Sequence, residues 1–148
     1  MSVEERDVAE LVPHSGAMIL LDRILASAPG SLTSGVIVRD DGIFSDDDGA
    51  VSATVGIEYM AQTIAAYAGL RALRTGGRVR LGLLLGVRGY RSPVSHFFPG
   101  DELAVTVRSV VEGANGLGVF DCEINGDDGL HISARLTVVE VDSLEALA

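Results

Sequence analysis

A chain of 148 residues is the size of one domain with a core of its own, and we expect a single domain over residues 1–148. Its formal net charge of −10 argues against a nucleic-acid partner, because binding phosphates requires a basic surface. Apolar residues make up 47% of the sequence, but Pro, Gly or charged residues interrupt each apolar run before it is long enough to span a membrane. We therefore assign the apolar excess to a subunit interface.

The N-terminus and the cysteine content indicate the compartment. The segment MSVEERDVAELV is acidic and lacks the basic-then-apolar pattern of an export signal. Cys122 is the single cysteine, so it cannot form an internal disulfide, and its inward position on a strand is typical of a small core residue. These features predict a cytoplasmic protein.

The first third of the chain predicts a short acidic helix over residues 3–11, ending before Pro13. Two β-branched and apolar runs, residues 19–26 and 32–38, flank the turn sequence APGS and predict a hairpin. A polar, Asp-rich loop over residues 39–54 follows. Its three consecutive aspartates, from Asp46 to Asp48, lack the spaced Gly and terminal Glu of a calcium loop, so no metal is expected.

Residues 55–73 predict the helix around which the remaining elements are arranged. Apolar residues recur at three- and four-residue steps on nearly every face, so the helix should be enclosed. Glu58 interrupts this pattern, and Gln62 lies one turn further on the same face. The carboxylate is either a solvated charge in the first turn, favoured by the helix dipole, or a catalytic group in a dry pocket.

After a stop at Thr75–Gly77, four further strands are predicted over residues 79–90, 102–111, 117–124 and 130–141, with the clearest hairpin signal at NGDDG. In the last strand every second residue from Leu130 to Val138 is apolar and predicts the core face. Two strands, one buried helix and four strands define an α+β fold, in which one antiparallel sheet of about six strands wraps round the helix.

Three segments of this chain resemble the hot-dog fold 3-hydroxyacyl-[acyl carrier protein] dehydratases. LVPHSGAMILLDRIL looks like the family's entry segment, GIEYMAQTIAAYAG matches its helix, and SPVSHFFPGDELAV is similar to its turn into a long strand. Their order and spacing cover nearly the whole chain. The resemblance implies a hot-dog fold and a lyase that eliminates water from acyl groups on acyl carrier protein, in fatty acid or polyene biosynthesis.

The chain departs from this family at its catalytic histidine. Members usually carry His-Phe-Pro-Gly in the loop before the helix, and that histidine works with the helix glutamate. Counting back from Glu58 by the family's spacing leads to Phe44, and no histidine occurs between Ser15 and Ser95. A divergent subgroup attached to aryl-polyene-type pathways is similar in this respect.

The resemblance assigns roles to the remaining residues. Glu58 is expected to act as the acid and His14 as the base, on opposite sides of an acyl tunnel and contributed by different subunits; His96 and His131 are weaker candidates. Amides at the start of the helix are expected to bind the thioester carbonyl, and Gln62 the hydroxyl; the amides belong to Val55, Gly56 and Ile57. Elimination of water requires no cofactor, so none is expected.

Two other functions remain open. One is a thioesterase in which the helix carboxylate activates water. The other is a non-catalytic or half-site subunit that pairs with a second hot-dog dehydratase carrying the loop histidine. Fold resemblance alone does not separate these possibilities.

An open sheet edge and a cluster of arginines indicate which partners to expect. An open sheet edge predicts a homodimer or a heterodimer with another hot-dog subunit. All eleven basic residues are arginine, and six of them lie between Arg71 and Arg91. They form either a solvated face or a docking patch for an acidic acyl carrier protein, and the docking candidates are Arg71, Arg74, Arg78 and Arg80.

Overall fold

The helix predicted over residues 55–73 is present as α1, Gly56–Arg74, in the computed structural model, which describes residues 2–141. A 3-10 turn, Ala53–Val55, leads directly into it. The helix ends where Gly76 takes a positive φ of 79° and the Gly77 N–H bonds back to the Ala72 carbonyl at 2.7 Å. The stop predicted at Thr75–Gly77 is therefore confirmed, with the left-handed glycine that such a stop favours.

Within residues 2–141, six long strands form one sheet around α1: β1 Arg23–Ala28, β2 Ser31–Ile37, β4 Leu81–Arg91, β6 Glu102–Glu112, β7 Leu117–Asn125 and β8 His131–Val141. Their order in the sheet is β1-β2-β6-β7-β8-β4, and every neighbouring pair is antiparallel. Two short strands, β3 Val51–Ser52 and β5 His96–Phe97, pair separately. The predicted α+β fold, a single antiparallel sheet wrapped round one helix, is confirmed.

The strand faces follow the predicted alternation. Every second side chain of β8 from Ile132 to Val138 is buried, and so are Phe120, Cys122 and Ile124 of β7. These side chains meet Met60, Ile64 and Leu70 of α1 in one hydrophobic core. The alternation places the apolar half of each strand against the helix and leaves the polar half on the outer surface.

The N-terminal segment differs from the prediction. Instead of one helix over residues 3–11 it forms two 3-10 turns, Val3–Glu5 and Val8–Glu10. Asp7 separates them in an extended conformation, and its carboxylate accepts the Ala9 N–H at 3.0 Å. An aspartate that bonds its own backbone in this way starts a new turn rather than continuing a helix.

Two more elements differ in their bounds. The strand predicted from residue 19 begins only at Arg23, because the Leu20 N–H donates to the Gln62 side chain instead of a sheet neighbour. A 3-10 turn, Gly16–Met18, lies just before this point. The predicted loop over residues 39–54 contains β3, whose partner β5 lies far along the chain.

One edge of the sheet, β4, is apolar and uncovered in the described chain. Leu84, Leu85 and Val87 are exposed there, with Leu85 58% accessible. Leu84 and Val87 lie opposite the inward-facing Val138 and Leu136, so their side chains are on the helix side of the sheet and are nevertheless exposed to solvent. In residues 2–141, no helix has the length and hydropathy needed to cross a membrane.

Candidate active site

A cavity of about 340 Å³ lies between α1 and the sheet at strands β4, β7 and β8. Small and apolar side chains form its walls: Ala61, Ile64, Ala65 and Ala68 on the helix, and Leu83, Leu84, Leu117, Phe120 and Val138 on the sheet. Because three of the four helix residues are alanines, this face of α1 does not fill the space beside it. The face predicted to be enclosed instead lines an elongated apolar groove.

Glu58 and His14 lie together where this cavity meets the first turn of α1. His14 Nε2 is 3.7 Å from Glu58 Oε1, and the exposed fractions of the two side chains are 26% and 38%. The Nδ1 atom of His14 is buried, with no hydrogen-bond partner among the described residues. The sequence placed these groups on opposite sides of the tunnel in different subunits, and that expectation was wrong, because one chain brings them side by side.

Gln62 holds this arrangement together from within the core. It is 1% exposed; its Oε1 accepts the Leu20 N–H at 2.9 Å, and its Nε2 donates to the Met18 carbonyl at 2.7 Å and to Glu58 Oε1 at 3.1 Å. Gln62 does not line the cavity. In this chain the Gln62 amide fixes both Glu58 and the segment that follows His14, and binding of the substrate hydroxyl by Gln62 stays a prediction.

The start of α1 also differs from the expected thioester site. The Gly56 N–H donates to the Ala53 and Thr54 carbonyls, because the preceding 3-10 turn continues into the helix. Gly56 is buried, and neither it, Val55 nor Ile57 lines the cavity. The Gly56 amide is thus occupied within the chain, and binding of a thioester carbonyl at Val55 and Ile57 stays a prediction.

The opposite end of the cavity is charged. Arg71 Nη1 lies 2.5 Å from Glu112 Oε1, and the Arg71 guanidinium sits 5.2 Å from the centroid of the Tyr67 ring. Burial lowers the pKa of Arg71, but the hydrogen bond and the negative charge of Glu112 raise it by more in total with the other nearby groups, so the pKa is raised overall. Arg80 lines the same end, and Arg74 and Arg78 are exposed nearby in sequence.

The other candidate residues lie elsewhere. His96 is beside Ser95, with its Nε2 4.0 Å from Asp46, and His131 bonds to Asn125 at 2.7 Å; neither lines the cavity. Cys122 is buried in the core as predicted, and burial, with a smaller effect of Asp121, raises its pKa to about 12.

An antiparallel sheet wrapped round a helix, with a carboxylate and an imidazole at one end of an apolar groove, defines a hot-dog protein suited to acyl groups. Comparison with known proteins identifies the family. A profile of the ApeP-like family, described as ApeP dehydratase, matches residues 6–148, and the chain belongs to this family.

Individual relatives agree with this assignment. The chain is 26% identical over 132 residues to the 3-hydroxyacyl-[acyl-carrier-protein] dehydratase FabZ of Psychrobacter arcticus, covering 86% of this chain and 89% of the relative. A structure of the dehydratase heterocomplex ApeI:P from Xenorhabdus doucetiae matches with a TM-score of 0.87 and 26% identity, covering 95% of this chain and 94% of that one.

A more distant structural match is the mutant thioesterase PA1618 of Pseudomonas aeruginosa. Its TM-score is 0.56 at 20% identity, covering 82% of this chain and 81% of that one. At this identity the match supports the hot-dog fold alone.

Proposed function

We propose that the chain takes part in dehydrating 3-hydroxyacyl groups carried on acyl carrier protein, with Glu58 as the acid. The observation that carries this proposal is the position of Glu58, beside His14 and held by Gln62, at one end of an apolar groove in a member of a dehydratase family. The groove suits the alkyl or polyene part of the substrate, and the carboxylate suits its hydroxyl.

The reaction needs two proton transfers on neighbouring carbons. A base removes the proton from C2, its electron pair forms the C2–C3 double bond, and the C3–O bond breaks as an acid protonates the departing hydroxyl. Water and a 2-enoyl thioester result, with no net oxidation or reduction. Because the reacting carbons are adjacent, the acid and the base need to lie only a few ångströms apart.

His14 is the base that this chain itself offers. Its Nε2 lies 3.7 Å from Glu58, close enough for both groups to reach C2 and the C3 hydroxyl from one side of the substrate. Removal of the C2 proton requires a neutral imidazole, and protonation of the hydroxyl requires a protonated Glu58. After the elimination His14 carries the C2 proton and Glu58 has given one up, so the proton must pass from His14 to Glu58, 3.7 Å away, to restore the pair.

A second candidate function has its own support. Glu58 is 38% exposed in the single chain, and the nearby strand β4 presents an open apolar edge. A protein that covers this edge would also exclude water from around the Glu58 carboxylate, and electrostatic interactions are stronger in a site without water. In this alternative the chain supplies Glu58 and the groove, and a second hot-dog subunit supplies the imidazole.

The decisive experiment assays Glu58→Gln and His14→Ala on a 3-hydroxyacyl-acyl carrier protein, with formation of the enoyl product followed by mass spectrometry. Glu58→Gln removes the proton donor at nearly constant shape, so the rate should fall on the order of 10²- to 10⁴-fold. The control Glu123→Gln changes a carboxylate on the sheet that bonds Arg108, and should leave the rate unchanged. Equal, measurable activity in wild type and Glu58→Gln, alone or with a second hot-dog subunit, would refute the proposal.

The same assay separates the alternatives. If the wild-type chain is active alone and His14→Ala is not, the base is His14. If activity appears only after mixing with a second hot-dog subunit, the half-site function holds. Release of a free acid instead of an enoyl product would identify a thioesterase.

A further inference from the structure

A bulge in strand β4 directs one side chain from the open edge toward the helix. Arg88 pairs with Arg135 and Arg91 pairs with Ser133, so Gly89 and Tyr90 together stand opposite a single residue of β8. Gly89 has a positive φ of 76°, the conformation in which glycine is favoured at such bulges. Without the extra residue Tyr90 would stand opposite Ser133, on the outer face; with it, the ring points inward and is half-buried.

The Tyr90 hydroxyl reaches the turn that begins α1. It donates a hydrogen bond to the carbonyl of Ala53, which also accepts the N–H of Gly56. Gly56 leaves the space that this hydroxyl occupies, since a Cβ added there would collide first with Tyr90 and then with Ile124. The glycine at the start of the helix and the tyrosine on the edge strand are therefore matched to each other.

This contact supports a helix that has no side-chain cap of its own. Val55, at the N-cap position, has no side-chain hydrogen bond to the helix. Three contacts hold the preceding turn: Ser52 Oγ accepts the Thr54 N–H at 3.4 Å, the Ala53 N–H donates to the Ser95 carbonyl at 2.9 Å, and the Tyr90 hydroxyl donates to the Ala53 carbonyl. Glu58 lies two residues beyond Gly56, so a shift of this turn moves its carboxylate.

We propose that Tyr90 is a positioning residue, which fixes the first turn of α1 through the Ala53 carbonyl and so holds Glu58 in its place relative to His14. This inference rests on the proposed dehydration at Glu58 and adds a residue to it. Tyr90 does not line the cavity and its hydroxyl proton is directed to Ala53, so it does not act on the substrate itself. Because β4 is also the open edge, a subunit that pairs with it would hold Tyr90 and the helix start together.

The kinetic test is Tyr90→Phe, assayed in the form of the protein that is active, alone or with its partner subunit. Misplacing a catalytic group by a fraction of an ångström to one ångström should lower kcat roughly 10- to 100-fold. KM should stay unchanged, because the groove that binds the acyl group is not altered. Thr33→Val is the matched control: it removes a side-chain hydroxyl that bonds Thr106 in the sheet, and should alter neither constant. An unchanged kcat in Tyr90→Phe would overturn the inference.

A second test does not depend on activity. Gly56→Ala should destabilise the wild-type protein more than it destabilises Tyr90→Phe, since the colliding hydroxyl is absent from the second background. Hydrogen exchange should also accelerate in Tyr90→Phe at the amides of residues 54–58 and remain unchanged in the sheet. Equal destabilisation in both backgrounds would overturn the inference, whereas a coupled result without any dehydration would refute only the proposed function.

Discussion

Replacing Gln62 by leucine should be one of the most destabilising single changes in this protein. The substitution keeps the approximate volume but leaves the Leu20 N–H and the Met18 carbonyl without their partners in a partly buried segment. Each unpaired backbone group costs about 1–3 kcal/mol, so we expect a loss of about 2–6 kcal/mol for the two, against a total stability of about 5–15 kcal/mol for a typical domain.

The neighbouring Thr63 provides the control. It is fully buried, but its hydroxyl bonds only to the Tyr59 carbonyl of the same helix, which also accepts a helical N–H. Thr63→Val should therefore cost about 0.5–1 kcal/mol. Urea unfolding followed by circular dichroism measures both changes, and the sequence has no tryptophan to serve as a fluorescent reporter. If Gln62→Leu were no more destabilising than Thr63→Val, the reasoning about its two backbone bonds would be refuted.

Four further predictions concern packing, ionisation and partners. Gly69→Ala should lower the melting temperature, because the new Cβ would collide with the Leu11 carbonyl. This collision should outweigh the roughly 1 kcal/mol by which alanine is favoured over glycine in a helix. A higher melting temperature would contradict the prediction. The unfolding free energy should fall as the pH rises from about 9 to 12, because burial raises to about 12 the pKa of three groups that ionise nearer 9 or 10 when unfolded, Tyr59, Tyr90 and Cys122. Urea unfolding at several pH values in this range tests this, and a flat profile would refute it. Leu85→Arg should convert a dimer to monomers in sedimentation, whereas Val110→Arg on the interior strand β6 should not; a stable wild-type monomer would count against the interface. Replacing Arg74 and Arg78 by glutamate should weaken carrier binding at low salt more than Arg23→Glu on the far edge strand does. Equal effects would argue against a docking patch at these arginines.

The fold was largely predictable because its signals are local and repeated. Alternating apolar residues in the last two strands, the apolar run of α1 and the turn residues each define an element within a few positions, and together they allow few arrangements. The error at residues 3–11 has a local cause too. A short acidic segment has the composition of a helix, but Asp7 can bond its own backbone, and composition does not show which choice is made.

The site was predictable in part. Glu58 and His14 were identified from their motifs, yet their proximity within one chain depends on how the segment before β1 crosses the helix. The spacing of Glu58 and Gln62 showed that they share a face of the helix. It did not show that the Gln62 side-chain amide is hydrogen-bonded to backbone groups more than forty residues away in sequence. Tyr90 gave no signal of this kind, because its direction depends on a one-residue bulge that alternation alone does not reveal.

The Gln62 hydrogen bonds also bear on the order of folding. Strands β6, β7 and β8 are joined by short turns and can pair early, whereas the bonds from Gln62 to Met18 and Leu20 close loops of more than forty residues. The segment carrying His14 should therefore dock late, after the main folding barrier has been crossed. Weakening that contact would then accelerate unfolding and leave the folding rate nearly unchanged, so the residues that place the imidazole would govern the lifetime of the native state more than the speed of its formation.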